Sequence, residues 1–153
     1  MDVDSKLREI GIELKPAPAP VGNYLPWRLS GNMVFLSGSI CMEDGELRYT
    51  GAVGGDRTLE EGYAAARLCA LNQLSILKDA LGGDLSRARR VVSLTGFVWG
   101  VAGFPEPQKV VNGASDLMVE VFGEAGKHSR AAVTVAGLPA ASTVEIQSVF
   151  EVM

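Results

Sequence analysis

Two stretches of helical periodicity set among short strands decide most of what this chain can become. From Thr58 to Leu81, the residues Leu59, Tyr63, Ala66, Ala70, Leu74 and Leu77 recur at steps of three and four, the spacing of one helix face. Thr58 followed by Glu61 is a capping-box pattern, Glu60 suits the positive end of a helix, and Gly82-Gly83 stops the run. A second helix is predicted over Gln108–Phe122, with Val110, Ala114, Leu117, Met118 and Val121 on one face and Gly123 and Gly126 ending it. The segments around them read as strands: Tyr24–Leu29, Met33–Leu36, Val91 to about Val101, Ala131–Ala136 and Val144–Met153. Ser30-Gly31-Asn32 is turn chemistry, so the first two strands should form a hairpin. The order is β-β-α-β-α-β-β, an α+β pattern.

Two helices cannot cover both faces of such a sheet. In the last strand Val144, Ile146, Phe150 and Val152 suit a face packed on helices, whereas Glu145, Gln147, Val149 and Glu151 make a mixed face. The Val91–Val101 strand reads as apolar on both sides, with Val92, Leu94 and Val98 pointing one way and Val91, Phe97, Trp99 and Val101 the other. Met33-Val-Phe-Leu36 is apolar on both sides too, and such strands need cover on both. With both helices on one face, self-association through the other is the expected solution.

Composition excludes several function classes. The 153 residues are 47 % hydrophobic and 21 % charged with a net charge of −4, a single domain's worth of core and no global field toward nucleic acid. Arg87, Arg89 and Arg90 read as a solvated loop between a helix and a strand. Cys41 and Cys69 fit no metal spacing, and with one histidine no metal site is expected. His128 reads as a loop residue or, alternatively, as one at the mouth of a site. Phosphate-binding glycine loops, the nucleophile elbow and the HExxH pattern are absent. The N-terminus has no apolar leader and nothing reaches membrane-spanning length, so a cytoplasmic location is expected and no membrane partner. Residues 3–11 could form a short helix capped by Asp4 or Ser5, followed by the extended arm Lys15-Pro-Ala-Pro-Ala-Pro20.

Two residues could do chemistry. Arg130 opens an otherwise apolar strand after Gly-Lys-His-Ser; it reads as a solvated edge residue or as an anchor whose guanidinium fork matches a carboxylate. Glu145 is the acid near the start of the last strand. If that strand pairs antiparallel with Ala131–Ala136 about Gly137–Thr143, Glu145 falls near the middle of it; simple solvent exposure is the other reading.

Four segments in order carry a family resemblance: Pro20-Val-Gly-Asn-Tyr24, Gly31-Asn-Met-Val-Phe-Leu-Ser-Gly38, Val110-Val-Asn112, and Arg130-Ala-Ala-Val-Thr-Val-Ala-Gly-Leu-Pro139 with Val144-Glu-Ile146. Together they resemble the Rid family, also called YjgF-like or L-PSP endoribonuclease, over roughly residues 18–152. The resemblance implies a chorismate-mutase-like fold of the bacillary type: a mixed sheet, two long helices on one face, and a homotrimer with a barrel core and ligand clefts between subunits. It divides the chain into an N-terminal extension with a short helix and Pro-rich arm, residues 1–17, and a Rid-like domain, residues 18–153. It implies hydrolysis of small enamines and imines of the 2-aminoacrylate type to 2-keto acids and ammonia, with no metal or organic cofactor. By the same resemblance Arg130 would bind the ligand carboxylate and Glu145 would orient or deprotonate water, with Tyr24, Ser37, Gly38 and Asn112 lining the cleft. The alternatives are a carboxylate-binding trimer without catalysis and, more remotely, an endoribonuclease, although nucleic acid is not an expected partner. Family deaminases often carry cysteine two residues after the arginine, where this chain has Ala132, and the N-terminal extension is longer than in compact members; both mark a divergent subgroup.

Overall fold

A computed structural model describes residues 2–153. Helix α1 (Val3–Glu9) is capped by Asp2, whose carboxylate accepts from Ser5 N at 2.9 Å, ahead of the expected Asp4 or Ser5. It drives Val3 and Leu7 into the core, and Lys78 meets Asp4 at 2.9 Å. The proline-rich arm then runs across the surface, with Lys15 Nζ 2.8 Å from Asp44. Strand β1 (Trp27–Ser30) starts later than Tyr24, because Pro26 has no N–H to give a ladder. It pairs antiparallel with β2 (Met33–Leu36), as the turn chemistry requires.

Helix α2 (Leu59–Ala80) carries the reciprocal capping box at Thr58 and Glu61. Helix α3 (Pro107–Phe122) buries Val110, Ala114, Leu117, Met118 and Val121, the face its spacing predicts. Three short strands, β3 (Ser39–Ile40), β4 (Met42–Glu43) and β5 (Glu46–Leu47), add to the expected set, β4 and β5 as a separate hairpin. The long strand β6 (Ala88–Trp99), the edge strand β7 (Ser129–Val135) and β8 (Val144–Val152) complete a mixed sheet of order β1-β2-β8-β6-β7, with β3 also on β8. This is the chorismate-mutase-like α+β architecture.

Three sequence expectations change. Strand β7 does not pair with β8: it lies parallel to β6, and β8 lies antiparallel on the other side of β6. A bulge between Val91 and Ser93 shifts the β6 register, so Val91 joins Leu94 and Val98 in the core instead of facing away from them. Strand β6 also begins at Ala88, which puts Arg89 and Arg90 in the sheet, Arg90 against Glu151 at 2.7 Å. In β8, Val144, Ile146, Phe150 and Val152 are all buried, as their alternation predicts. On the opposite face Phe35 and Val133 remain 47 % and 43 % exposed, and Phe97, Trp99 and Val149 are only half-buried.

Candidate functional site

The six candidate residues fall into two groups. Tyr24, Ser37, Gly38 and Glu145 line one cavity of about 500 Å³, walled on its outer side by the arm residues Pro18 to Val21. The cavity exists because the chain breaks its ladder there. Phe35 pairs with Val149 and Ser39 with Ile146, so residues 36–38 span the same stretch of β8 as residues 147–148. The extra residue is a bulge, and it turns Gly38 onto the Glu145 side chain. A Cβ at Gly38 would meet Glu145 Oε2 at 2.8 Å and Cδ at 3.0 Å, so only glycine leaves the carboxylate where it is. Ser37 is fixed by its hydroxyl donating to Leu25 O at 2.6 Å and by Gln73 Nε2 donating to its carbonyl at 2.8 Å. Gln73 is itself clamped by Ser39 and Ser148, at 2.6 Å each. Tyr24 Oη accepts from Val21 N at 3.3 Å, which folds the end of the arm against the ring. Burial pushes the Glu145 carboxyl above the usual carboxylate range, because the low-dielectric wall disfavours its charged form.

The second group surrounds Arg130 at the edge strand. Its Nη1 donates to Asn112 Oδ1 at 2.8 Å and to Ser115 Oγ at 3.1 Å, and its Nη2 approaches Gln108 O at 3.4 Å. Positions 108, 112 and 115 are i, i+4 and i+7 on α3, one stripe facing the strand. All three partners are neutral acceptors. Asn112 and Ser115 take Nη1 and Gln108 O takes one hydrogen of Nη2, which leaves Nε and the other hydrogen of Nη2, a pair that can take a carboxylate side-on. Asn112, expected to line the cleft, instead clamps Arg130 and is not among the residues of the Glu145 cavity. Ser115 and His128 belong to the same cluster, with Nε2 of the imidazole 2.9 Å from Ser115 Oγ. The sequence reading singled out neither Ser115 nor its link to His128. A polar i, i+4, i+7 stripe on the far side of the apolar face was the available signal.

Within the chain the two groups do not meet. Arg130 is paired with Leu94 and so shares its helix-covered face, while Glu145 is paired with Phe97 on the other. They stand on either side of β6, two strand spacings across and three residues along, about 14 Å apart by ordinary sheet geometry. A three- or four-carbon acid cannot touch both. The expectation that Glu145 sits opposite the Arg130 strand is corrected here: β6 lies between them. Each chain therefore presents a guanidinium-bearing half at one sheet edge and a carboxylate-bearing half on the far side of β8.

Among the described residues no group of three or more His, Cys, Asp or Glu side chains could hold a metal ion, and no helix is long and apolar enough to cross a membrane. Comparison with known proteins returns a family model described as "YjgF/chorismate mutase-like, putative endoribonuclease", matching residues 4–152. Protein TCP17 of Trypanosoma cruzi is 44 % identical over 150 residues, 97 % of this chain and 93 % of that protein. The crystal structure of Atu1372, a protein of unknown function from Agrobacterium tumefaciens, superposes with a TM-score of 0.92 at 44 % identity, covering 99 % of this chain and 92 % of that one. RidA from an Antarctic Psychrobacter superposes with a TM-score of 0.61 at 30 % identity, covering 89 % and 94 %.

Proposed function

The chain belongs to the YjgF/chorismate mutase-like family, and we propose that it acts there as a hydrolytic deaminase of small enamine and imine intermediates, working as a homotrimer. The observation that carries this reading is the division of the candidate residues into two complementary halves on one chain. One half offers a fixed cationic edge for a carboxylate; the other offers a partly desolvated carboxylate in a cavity of small-ligand size. Closing the open sheet faces of three subunits on one another would cover Phe35, Phe97, Trp99, Val133 and Val149, and would bring the Arg130 edge of one subunit to the Glu145 cavity of the next.

The chemistry asked of such a cleft is modest. The substrate carboxylate docks on the Nε–Nη2 edge of Arg130. A water held by Glu145 adds its oxygen to the electrophilic imine carbon while its proton passes to the carboxylate. The resulting carbinolamine takes that proton back from Glu145 on its nitrogen; its hydroxyl then gives its own proton to the carboxylate as the C=O bond forms, the C–N bond breaks and ammonia leaves the 2-keto acid. Positioning supplies most of the rate, and the raised carboxyl is closer to neutral pH than an exposed one, which suits a base that must also return its proton. No metal or organic cofactor enters this sequence of steps.

The test is release of 2-keto acid from freshly generated 2-aminoacrylate, followed by a coupled dehydrogenase. The wild-type protein should accelerate release, and Arg130→Ala should lower kcat/KM by at least about 100-fold, since a bidentate charge-assisted pair is lost. Release at the uncatalysed rate by the wild-type protein would sink the proposal. A carboxylate-binding trimer without turnover is the second reading, favoured by Ala132, which gives Arg130 an apolar neighbour on the helix face of β7. It predicts Arg130-dependent binding of a keto acid with no acceleration. The endoribonuclease reading has the family model's description behind it but no basic surface: net charge is −4, Arg90 is paired with Glu151, and Arg87 donates to the Leu81 and Met153 carbonyls.

A further inference from the structure

His128 is the chain's single histidine, and the structure fixes both of its nitrogens. Nδ1 lies 2.6 Å from the Gly126 carbonyl and Nε2 lies 2.9 Å from Ser115 Oγ. A carbonyl can only accept, so Nδ1 carries a hydrogen, and the neutral imidazole is left with Nε2 as an acceptor. The Ser115 hydroxyl therefore donates to Nε2. That rotor setting leaves a lone pair of the same oxygen for Arg130 Nη1, at 3.1 Å. The line of donors and acceptors is Arg130 to Ser115, Ser115 to His128, and His128 to Gly126.

Its far end is rigid. Gly126 is buried in the turn between α3 and β7, so close to α3 that a Cβ there would run into the Met118 carbonyl. Ser115 is on α3 itself, in phase with Gln108 and Asn112. An exposed arginine loses rotamer freedom when a ligand immobilises it. One already held at Nη1 by Asn112 and by an oriented Ser115 has lost much of that freedom before binding.

We propose that Ser115 and His128 are positioning residues for Arg130, aiming its Nε–Nη2 edge at the carboxylate of a 2-keto acid or its imine. The proposal rests on the reading of Arg130 as the carboxylate anchor and goes beyond it by assigning two residues that touch no ligand. His128 acts on Arg130 through the direction it imposes on the Ser115 hydroxyl.

A single histidine makes the test direct. In the full-length protein labelled with ¹⁵N-histidine, nitrogen spectra should show the Nδ1-protonated tautomer in the absence of ligand. That is the minor form of free histidine in water, and it is the form that leaves Nε2 to accept from Ser115. Titration with pyruvate should move the imidazole signals along the same saturation curve that calorimetry gives for pyruvate. Ser115→Ala and His128→Gln should each weaken pyruvate binding about tenfold or more, the loss expected when one hydrogen bond to a charged group goes. Ser115→Thr, which keeps the hydroxyl, should restore affinity and the imidazole response. If Arg130→Ala loses pyruvate binding while Ser115→Ala and His128→Gln bind like wild type, the anchor stands and the positioning role is overturned. Undiminished binding by Arg130→Ala overturns the anchor and the positioning role together. An Nε2-protonated wild-type imidazole that ignores pyruvate overturns the relay even if Ser115→Ala fails to assemble.

Discussion

Gly38 and Glu145 illustrate how much of this site depends on one atom's absence. The glycine has no side chain, and Glu145 Oε2 sits where its Cβ would press at 2.8 Å. The carboxyl is thereby tucked into the wall of its cavity, and burial raises its pKa above the ordinary carboxylate value. A base works only when ionised, so the rate should climb with pH through that raised pKa. The acid limb of kcat/KM for imine hydrolysis is expected above the range of exposed carboxylates. Glu145→Gln should remove the limb and cost about 10²–10⁴-fold in rate, the usual worth of a general base. A wild-type limb at the position of an ordinary exposed glutamate, or one that persists in Glu145→Gln, would mean that another group titrates. The sign for stability runs the other way. A carboxyl whose folded pKa is raised favours the folded state below its unfolded pKa, and that contribution is lost as pH rises through the folded pKa.

At the scale of elements, the two long helices decide the fold by how closely they approach. Gly113 on α3 faces the backbone of α2, and a Cβ there would collide with the Tyr63 carbonyl. Backbone cannot move aside as a flexible side chain can. Gly113→Ala should therefore destabilise the protein by about 3 kcal/mol, the upper end of overpacking costs, measured by urea unfolding. Gly137→Ala is the control: no atom lies within 4 Å of its added Cβ and its φ is not positive, so stability should hold or rise slightly. Equal effects from the two substitutions would show that the close approach of α2 and α3 does not limit stability. These helices were legible in the sequence because the periodic face and the Thr58–Glu61 capping box are local signals. Strand partners were not. The stretch from Gly137 to Thr143 looks like a hairpin connection, yet Ala140 and Ala141 take positive φ in a short 3₁₀ turn that carries the chain past β6. Nothing local tells β7 that its neighbour will be a strand whose residues lie 36 positions earlier, and so Arg130 and Glu145 were expected together when β6 separates them. The motif-borne half of the site fared differently: Tyr24, Ser37, Gly38 and Glu145 do converge on one cavity.

For the whole molecule, that separation has a consequence that a mixing experiment can read. If Arg130 of one subunit serves the Glu145 cavity of the next around a closed trimer, Arg130→Ala and Glu145→Gln damage different halves of each cleft. A mixed ring of either composition then holds one cleft in which the intact arginine of one variant faces the intact glutamate of the other. Equal amounts of the two variants, co-expressed or unfolded and refolded together, assemble at random into rings of which about three quarters are mixed, and one cleft in three of those is whole. Activity should return to about a quarter of the wild-type value, although each variant alone is nearly inactive. Clefts built within single subunits would give a different result, because every subunit in the mixture carries a lesion. The mixture would then stay as inactive as its parts. The quarter holds for any closed ring of shared clefts, so light scattering on the same samples is the measurement that checks the trimer. The apolar strip of Phe35, Phe97, Val133 and Val149 is what should hold the ring closed, and the recovered activity measures whether closing it completes the site.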